Sequence, residues 1–529
     1  MSTAPEPTNR DVSATSSRPA PPRVVIIGGG LAGLSAAAAL VDRGLRLTLL
    51  ESRPRLGGRA GSFQDAATGE LVDNCQHVGM ACCTNLLDFA RRVGVERKFR
   101  RDPAVVWLGP DGRLSRLRAG VLPAPLHLAA GFLRLKFLSM REKIGVARAL
   151  ATLFRTRDEL PGEPFADWLT RHGQGVRAIN LFWGAVLVSA LNERLEQMDV
   201  GHARKVFLDG FARHRDGYQL ELPLAPLGEI FGAPVAASLA GAGVEIRLNA
   251  GVRAILSARL DDLDETATTR VNGVRLRSGE TIDADFVVLA VPFDRVAALL
   301  PDAPACLGPA LDAIATLKPA PITGIHLWFD RPVCPHPHVV TVGRVIQWVF
   351  NHTLIQGRVA SEDGGHYLQL VVSASYDLVP LDRDRILDVA LRELSEIWPA
   401  ARDAKLLRSR VVTEHGATFG VRPGVDALRP AQRTPVGGLF LAGDWTDTGW
   451  PATMEGAVRS GYRAAEEVLV DLDRPEHLLV PDLPPSRLSQ RLFGLTRDDQ
   501  PRAGFVPTVR SQAESPARAE PAPAVANHD

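Results

Sequence analysis

A glycine-rich turn near the beginning of the chain has residue types and spacing suited to binding a nucleotide. Residues 28–33 match the pattern Gly-x-Gly-x-x-Gly, follow the apolar run 23–27 and open a helical pattern that ends at Gly44. The first glycine allows a tight turn, the second lets the backbone approach a pyrophosphate, and the third permits close packing of helix and strand. These three positions are Gly28, Gly30 and Gly33. The phosphates would lie at the helix N-terminus, where free N–H groups favour negative charge.

A carboxylate stands where this kind of turn requires one. The apolar run 45–50 ends at Glu51, 18 residues beyond Gly33, where its oxygens can accept hydrogen bonds from ribose hydroxyls. Strand, glycine turn, helix and second strand form one βαβ unit, which predicts a parallel sheet and an α/β fold. A dinucleotide site is therefore predicted over 23–51.

Two further segments favour FAD over NAD. Gly57 and Gly58 lie between Arg53 and Arg59, whose guanidinium groups suit additional contacts to a pyrophosphate. Far along the chain, the apolar run 438–442 ends in a second glycine and a carboxylate, and FAD needs such a remote segment for its ribityl chain and ring. These two residues are Gly443 and Asp444. Solvated arginines in a surface turn, and an aspartate that only caps a helix, are the alternatives.

Strand patterns recur in three separated blocks, which indicates one domain interrupted by another. The Rossmann-type FAD-binding domain is predicted to comprise 23–100, 230–300 and 410–470. The interleaved α+β substrate domain is predicted to comprise 101–229 and 301–409. Residues 1–22 and 483–529 are rich in proline and small or charged residues, and are predicted to be disordered tails.

The composition excludes several classes of protein. Of 529 residues, 45% are hydrophobic and 23% are charged, as in a soluble globular protein. The net charge of +1 provides no field for nucleic acid. The five cysteines contain no Cys-x-x-Cys pair, which argues against a disulfide scaffold, a zinc site and the disulfide reductases. We therefore predict no metal, and a cytoplasmic location that agrees with the lack of a secretory signal pattern.

The most apolar segment, 119–140, is interrupted by prolines and by Arg134 and Lys136, so it does not read as a membrane span. Its basic groups and its leucine and phenylalanine side chains suit the interface of a bilayer. This predicts a peripheral contact with the inner face of the membrane. A buried lid helix is the equally open alternative.

The motifs taken together resemble the squalene-associated FAD-dependent desaturase family, within the amine oxidase and carotenoid desaturase superfamily. The similarity covers most of 23–470. Its motifs are GGGLAG, Glu51, LGGR, VDNCQHV at 72–78, LNE at 191–193, HLWFDRPV at 326–333 and LFLAGDWTDTGWPATMEGAVRSGYRAAE at 439–466. The last motif is the most specific, and Cys75 departs from the family pattern, which has glycine there.

The resemblance implies FAD as cofactor and assigns contacts to individual residues. Around the pyrophosphate it places Gly28, Gly30, Leu31, Ala32 and Gly33. It places Glu51 on the adenosine ribose, Arg59 near phosphate or flavin, and the backbone of Val252 against adenine. Asp444 and Met454 are expected beside the ribityl chain and the flavin.

The implied reaction is reductive removal of the allylic hydroxyl of hydroxysqualene, which gives squalene. It needs a proton donor for the departing water, an apolar cavity and a hydride donor. His77 is the favoured proton donor because its ordinary pKa lies near neutrality, and Asp73 lies in the same polar cluster. Asn192 is expected either to orient the hydroxyl or to cap the helix that follows it.

Alternative functions remain open at this point. A carotenoid (phytoene-type) desaturase or isomerase would act on a related long-chain isoprenoid, and a lipid-binding protein would retain FAD without catalysis. Amine oxidation is less favoured, because an aromatic content of 6% with four tyrosines is sparse for an aromatic cage around an amine. No second nucleotide-binding turn opens a βαβ unit, so the electron donor is unknown: a separate carrier, or NAD(P)H reaching the flavin.

Overall fold

A five-stranded sheet lies at the centre of the nucleotide-binding half of the protein. The computed structural model describes residues 20–66, 69–156, 162–259, 269–357 and 365–495. The strands, in spatial order, are Glu245–Arg247, Arg46–Leu50, Arg23–Ile27, Phe286–Leu289 and Leu439–Leu441. All four pairings are parallel. This confirms the predicted α/β fold, and the apolar strands are those of a sheet covered on both faces.

Two helices that are far apart in the sequence pack against each other beside this sheet. The alanine-rich helix Leu31–Leu40 is buried along its whole length, and it packs against the helix Met454–Asp471. The hydroxyl of Ser35 donates to the carbonyl of Val458 across this contact. The two ends of the chain are thus brought together around one sheet, because neither helix could bury its apolar surface alone.

A seven-stranded sheet forms the second half. In spatial order its strands are Leu406–Phe419, Pro319–Phe329, His366–Ser373, Trp348–Asn351, His338–Thr341, Ala104–Leu108 and Leu114–Arg118. Only the pairing of His338–Thr341 with Ala104–Leu108 is parallel. Its first strand continues ten residues beyond the predicted boundary at 409. The division into two domains stays a prediction.

Smaller elements connect these two sheets. Three short sheets consist of Val252–Arg259, Thr269–Leu276 and Thr281–Asp283; of Ser62–Gln64 and Leu71–Asp73; and of Gly79–Met80, Leu220–Pro223 and Phe99–Asp102. The other helices of seven or more residues are Thr84–Arg92, Met140–Arg155, Phe165–Arg171, Gly184–Leu191, Val200–Phe207, Ala233–Gly241, Gly308–Thr316, Arg383–Ile397 and Arg487–Phe493.

The predicted C-terminal tail begins too early at 483. The helix Arg487–Phe493 is capped by Ser486 and buries Phe493 against Phe154, with ring centroids 4.9 Å apart. A helix of seven residues is too short to show a clear apolar periodicity in the sequence. It is stabilised by tertiary packing, which the sequence pattern does not reveal. Residues 496–529 and 1–19, the rest of the predicted tails, lie outside the described residues.

The segment 119–140 is not a single lid helix. It contains a 3₁₀ turn at Leu126–Leu128 and the short helix Ala129–Leu133, and a new helix begins at Met140. Its side chains divide between the core and the surface, because the prolines and the turn at 134–139 prevent one continuous helical face. Within the described ranges, no helix combines the length and apolar character needed to span a bilayer.

Candidate functional site

A cavity of about 760 Å³ lies between the carboxyl ends of the parallel strands and the second half of the protein. Every predicted cofactor residue except Gly33 contributes to its wall. Residues from 28 to 59 meet the remote segments 250–252 and 443–457 there. The carboxyl edge of a parallel sheet is the expected position for a dinucleotide in an open α/β fold.

Two glycines of the first turn, Gly30 and Gly33, have different surroundings. A Cβ atom at Gly33 would lie 2.0 Å from the carbonyl oxygen of Gly28, so this position serves backbone packing. A Cβ at Gly30 would meet nothing closer than the Cα of Gly58, 3.9 Å away, and Gly30 lines the cavity. The structure therefore separates the packing glycine from the one that leaves room for a ligand.

The second glycine pair belongs to the same cradle. The N–H of Gly57 donates to the carbonyl of Gly29 at 2.8 Å, and Gly57 is buried. The alternative of a solvated surface turn is therefore wrong for this pair. Arg53 is exposed at the cavity wall, as that alternative expected of the arginines, whereas Arg59 is directed inward.

Glu51 joins the first turn to the end of the second strand. One of its oxygens accepts from the N–H of Gly29 at 2.7 Å, and the other accepts from the N–H of Arg53 at 2.8 Å. A carboxylate oxygen has a further lone pair after one such bond, so the group can still accept from a hydroxyl. Glu51 is only 8% exposed and is held rigidly at the cavity.

An ion pair connects the cradle to the C-terminal motif. The guanidinium of Arg59 lies 2.5 Å from the carboxylate of Asp444 and also donates to the carbonyl of Ala417 at 2.8 Å. Burial opposes the charge of Arg59, but Asp444 holds the pKa of the guanidinium above its ordinary value. Asp444 is therefore more than a helix cap, and the pair links three distant segments.

Two helix N-termini point toward the cavity. Leu31 and Ala32 begin one helix, and Met454 begins the other after Thr453, whose hydroxyl accepts from the N–H of Gly456. Unpaired N–H groups and the positive ends of both helix dipoles favour an anionic or electron-rich ligand there. With Glu51 and Arg59, this is a set of donors and acceptors that fits FAD.

The polar cluster at 73–77 is divided between the cavity and the protein interior. His77 and Cys75 line the cavity, whereas the carboxylate of Asp73 accepts from the hydroxyl of Ser62 and from the N–H of Leu227 at 2.8 Å. Asp73 is absent from the cavity wall as described. It was a catalytic candidate by proximity along the chain, but it is the last residue of the strand Leu71–Asp73, and the irregular segment that follows carries Cys75 and His77 to the cavity while Asp73 stays bonded to Ser62 and Leu227.

His77 is poorly suited to donate a proton. Its Nδ1 lies 2.9 Å from the carbonyl of Cys75, an arrangement in which the ring N–H donates to that oxygen. Burial, and then the charge of Arg59, lower the pKa of His77 below its ordinary value. The ring is therefore neutral near pH 7 and presents an acceptor to the cavity.

Asn192 ends a helix rather than beginning one. It has a φ of 53° at the C-terminus of Gly184–Leu191, so it does not cap the following helix as one alternative expected. Its amide donates to the carbonyl of Ala320 and the hydroxyl of Thr418, and its oxygen accepts from the N–H of Ala374. Both N–H donors are thus committed to the protein, although Asn192 lines the cavity.

Sequence reasoning missed an ion pair in the cavity wall. Lys205 and Asp209 lie at the end of the helix Val200–Phe207 and in the π-helical turn that continues it. Their spacing is that of an ordinary i, i+4 pair on a helix surface, so the sequence contains no signal that they face a cavity. A π-helical turn is a feature often found at functional sites.

Metal and disulfide chemistry has no support in the described part of the chain. No cluster of three or more histidine, cysteine, aspartate or glutamate side chains is placed there to hold a metal. The five cysteines are free thiols, and burial raises the pKa of Cys75 to about 12. Cys75 therefore lines the cavity as a small neutral side chain.

A buried histidine in the seven-stranded sheet predicts that the folded protein loses stability in acid. His326 is fully buried beside the hydroxyl of Tyr367, and burial lowers its pKa to about 3. The unfolded chain binds this proton near pH 6.5 and the folded chain does not, so stability falls as pH drops below 6.5, by about 1.4 kcal/mol per unit for one histidine.

We expect His326→Gln to flatten this dependence. Thermal midpoints measured from pH 7 to pH 4.5 should fall more steeply for the wild type than for the variant. Parallel curves for the two proteins would show that His326 does not carry the acid sensitivity. His336→Gln, which removes a less buried histidine of the same half, is the matched control.

The comparisons with known proteins agree with this site. The sequence model of the flavin containing amine oxidoreductase family matches residues 31–469 of this chain. A 15-cis-phytoene desaturase of Arabidopsis thaliana is 27% identical over 476 residues, which cover 86% of this chain and 81% of that protein. A probable zeta-carotene desaturase of Synechococcus elongatus is 27% identical over 481 residues, which cover 84% and 98% of the two chains. The solved structure of an oxidoreductase from Methanosarcina mazei has a TM-score of 0.64 and 20% identity, over 83% of this chain and 98% of that chain.

The fold and the site define a flavoprotein oxidoreductase. The chain belongs to the flavin containing amine oxidoreductase family, and it is an FAD-dependent oxidoreductase similar to the carotenoid desaturases. This confirms the predicted cofactor and enzyme class.

Proposed function

We propose that the protein removes the hydroxyl of hydroxysqualene and releases squalene. The observation that carries this proposal is the composition of the cavity wall beyond the cofactor cradle. Apolar side chains such as Met80, Val206 and Ile322 line it, and Trp450 is the only indole, phenyl or phenol ring among its described residues. Such a wall suits a hydrocarbon chain and offers no cage of aromatic rings for an amine.

The chemistry divides between cofactor and protein. FAD held by Gly30, Glu51 and Arg59 would, when reduced, supply a hydride to the carbon that loses its hydroxyl. The protein must hold the chain, exclude water and deliver one proton to the departing oxygen. His77 can hold a polar group as an acceptor, but its neutral ring makes it a poor source of that proton.

Carotenoid desaturation is the second candidate, favoured by the names of the curated relatives. It runs the flavin in the opposite direction, because the oxidised cofactor then accepts a hydride from the hydrocarbon. The two candidates therefore differ in which redox state of the enzyme reacts, and in whether the substrate carries oxygen.

Product analysis of two parallel incubations separates them. We expect anaerobically reduced enzyme to convert hydroxysqualene to squalene, and oxidised enzyme to leave 15-cis-phytoene unchanged. New conjugated double bonds in phytoene, without squalene in the first incubation, would replace the proposal by the desaturase. An amine such as putrescine serves as a control that neither candidate consumes.

We propose that the segment 121–144, which overlaps the predicted segment 119–140, contacts the cytoplasmic face of a membrane, where a substrate of this kind would be dissolved. Six of the fourteen most exposed large apolar side chains of the described residues lie in it. They are Val121, Leu122, Leu126, Leu133, Met140 and Ile144. Exposed cations accompany them at Arg118, Arg134, Lys136, Arg141 and Arg148, against one carboxylate, Glu142, which is paired with Arg177. Apolar and cationic groups together suit an anionic lipid surface.

Replacing three of these residues should weaken membrane binding. We expect Val121→Ser, Leu122→Ser and Leu126→Ser together to reduce co-sedimentation with vesicles containing phosphatidylglycerol by roughly tenfold or more, since less apolar surface is buried. Leu354→Ser with Leu407→Ser, at comparably exposed positions elsewhere, is the matched control and should bind normally. The proposal would be contradicted if the triple variant bound vesicles as well as the wild type does, or if the control variant lost as much vesicle binding as the triple variant.

A further inference from the structure

The cavity wall contains an ion pair, Lys205 with Asp209, that none of the predicted cofactor contacts involves. The ammonium of Lys205 lies 2.7 Å from a carboxylate oxygen of Asp209, and both residues line the cavity. An ammonium has three N–H donors, and Asp209 is the only hydrogen-bond acceptor that Lys205 contacts among the described residues. A pure hydrocarbon would gain nothing from these donors, and would leave them desolvated.

The surroundings place this ammonium next to the C-terminal motif. Its nitrogen lies 4.6 Å from the ring centroid of Trp450, which stands four residues before Met454 along the chain. The neighbouring wall is apolar at Met80 and Val206. Lys205 therefore presents an ammonium beside apolar side chains, close to the segment that is expected to lie beside the flavin.

Asp209 does not depend on Lys205 alone for its charge. Although burial favours its neutral form, Lys205, Arg213 and Arg459 together hold the pKa of this carboxyl below its ordinary value. Arg213 lies 3.6 Å from its second oxygen. If Lys205 gave up a proton, Arg213 would still balance the aspartate, so the pair can act without leaving a lone buried charge.

We propose that Lys205 binds the hydroxyl oxygen of the substrate and protonates it, with Asp209 as the positioning residue that aims the ammonium. The inference deepens the proposed function and rests on it: it makes the substrate class a long-chain allylic alcohol. The carbon–oxygen bond breaks, and the oxygen leaves as water with the proton of Lys205. Reduced FAD, when bound, would supply the hydride that the carbon needs, and Lys205 regains a proton from solvent.

Two variants at one position distinguish binding from proton transfer. Lys205→Arg keeps the charge and the donors, but a guanidinium is a far weaker acid than an ammonium. We expect it to bind hydroxysqualene within about threefold of the wild type and to reoxidise reduced flavin roughly 100-fold more slowly. Lys205→Met should lose both affinity for the alcohol and rate, while its affinity for squalene is unchanged.

Controls separate this role from a structural one. Flavin content and thermal midpoint are measured for each variant, and Lys318→Met removes an exposed lysine elsewhere. If either Lys205 variant reoxidises at the wild-type rate, or if Lys205→Met binds alcohol as tightly as the wild type does, the assignment of Lys205 is wrong and the proposed function stands. If the wild type itself does not convert hydroxysqualene, the proposed function and this inference fail together.

Discussion

Gly30→Ala should give a folded protein that has lost most of its FAD. The added methyl group meets no protein atom closer than 3.9 Å, but it occupies the space through which the backbone approaches the pyrophosphate. Losing two charge-assisted hydrogen bonds of about 1.5 kcal/mol each corresponds to roughly 100-fold weaker binding. Titration of the apoprotein with FAD, followed by flavin fluorescence, measures the affinity.

Two other glycines provide the comparison. Gly33→Ala places a Cβ against the carbonyl of Gly28 and should lower the thermal midpoint by roughly 5–10 °C even without cofactor. Gly241→Ala meets nothing within 4 Å and should leave both stability and flavin content unchanged. A Gly30→Ala protein that retains wild-type affinity would show that the cradle does not bind the pyrophosphate at this position.

Arg59→Met should also remove FAD, for a different reason. It leaves the carboxylate of Asp444 buried without its cation, which costs about 3–5 kcal/mol when one partner of a buried pair is removed. We expect affinity for FAD to fall by roughly 100-fold or more and the thermal midpoint to fall with it. The same FAD titration, together with a melting curve, gives both quantities.

The partner variant makes this prediction a test of coupling. Asp444→Asn keeps the shape of the side chain and removes the charge. The double variant should lose less than the sum of the two single variants, by about 1–3 kcal/mol, because the two side chains interact directly. Additive losses would mean that Arg59 and Asp444 act independently on the cofactor.

The residues expected to bind the cofactor could be placed at the cavity from the sequence because their signals are local. Gly28, Gly30 and Gly33 act through backbone geometry in one turn, and Glu51 follows at the end of the next strand. The remote pair Gly443 and Asp444 was identified from a second turn in which a strand ends at a glycine. This pattern can be recognised in the sequence without knowledge of the tertiary structure.

The cavity wall beyond the cofactor residues was predictable only in part: His77 and Asn192 line it as expected, but Asp73 does not and Lys205 was missed, because lining depends on which face of an element meets the cavity. Asp73 and His77 are neighbours in sequence, yet one is directed to Ser62 and Leu227 and the other to the cavity. Lys205 lies in the cavity wall because of the way its helix packs. In the sequence, its spacing to Asp209 is that of an ordinary ion pair on a solvent-exposed helix face. Such facing is set by long-range contacts, and sequence spacing alone does not contain it.

A single anaerobic turnover tests the proposed dehydroxylation most directly. Purified holoenzyme is reduced stoichiometrically, hydroxysqualene is added without oxygen, and the flavin spectrum is followed while squalene is assayed. We expect the oxidised flavin spectrum to return, with one squalene formed per flavin. A flavin that stays reduced, with no squalene produced, would contradict the proposed dehydroxylation.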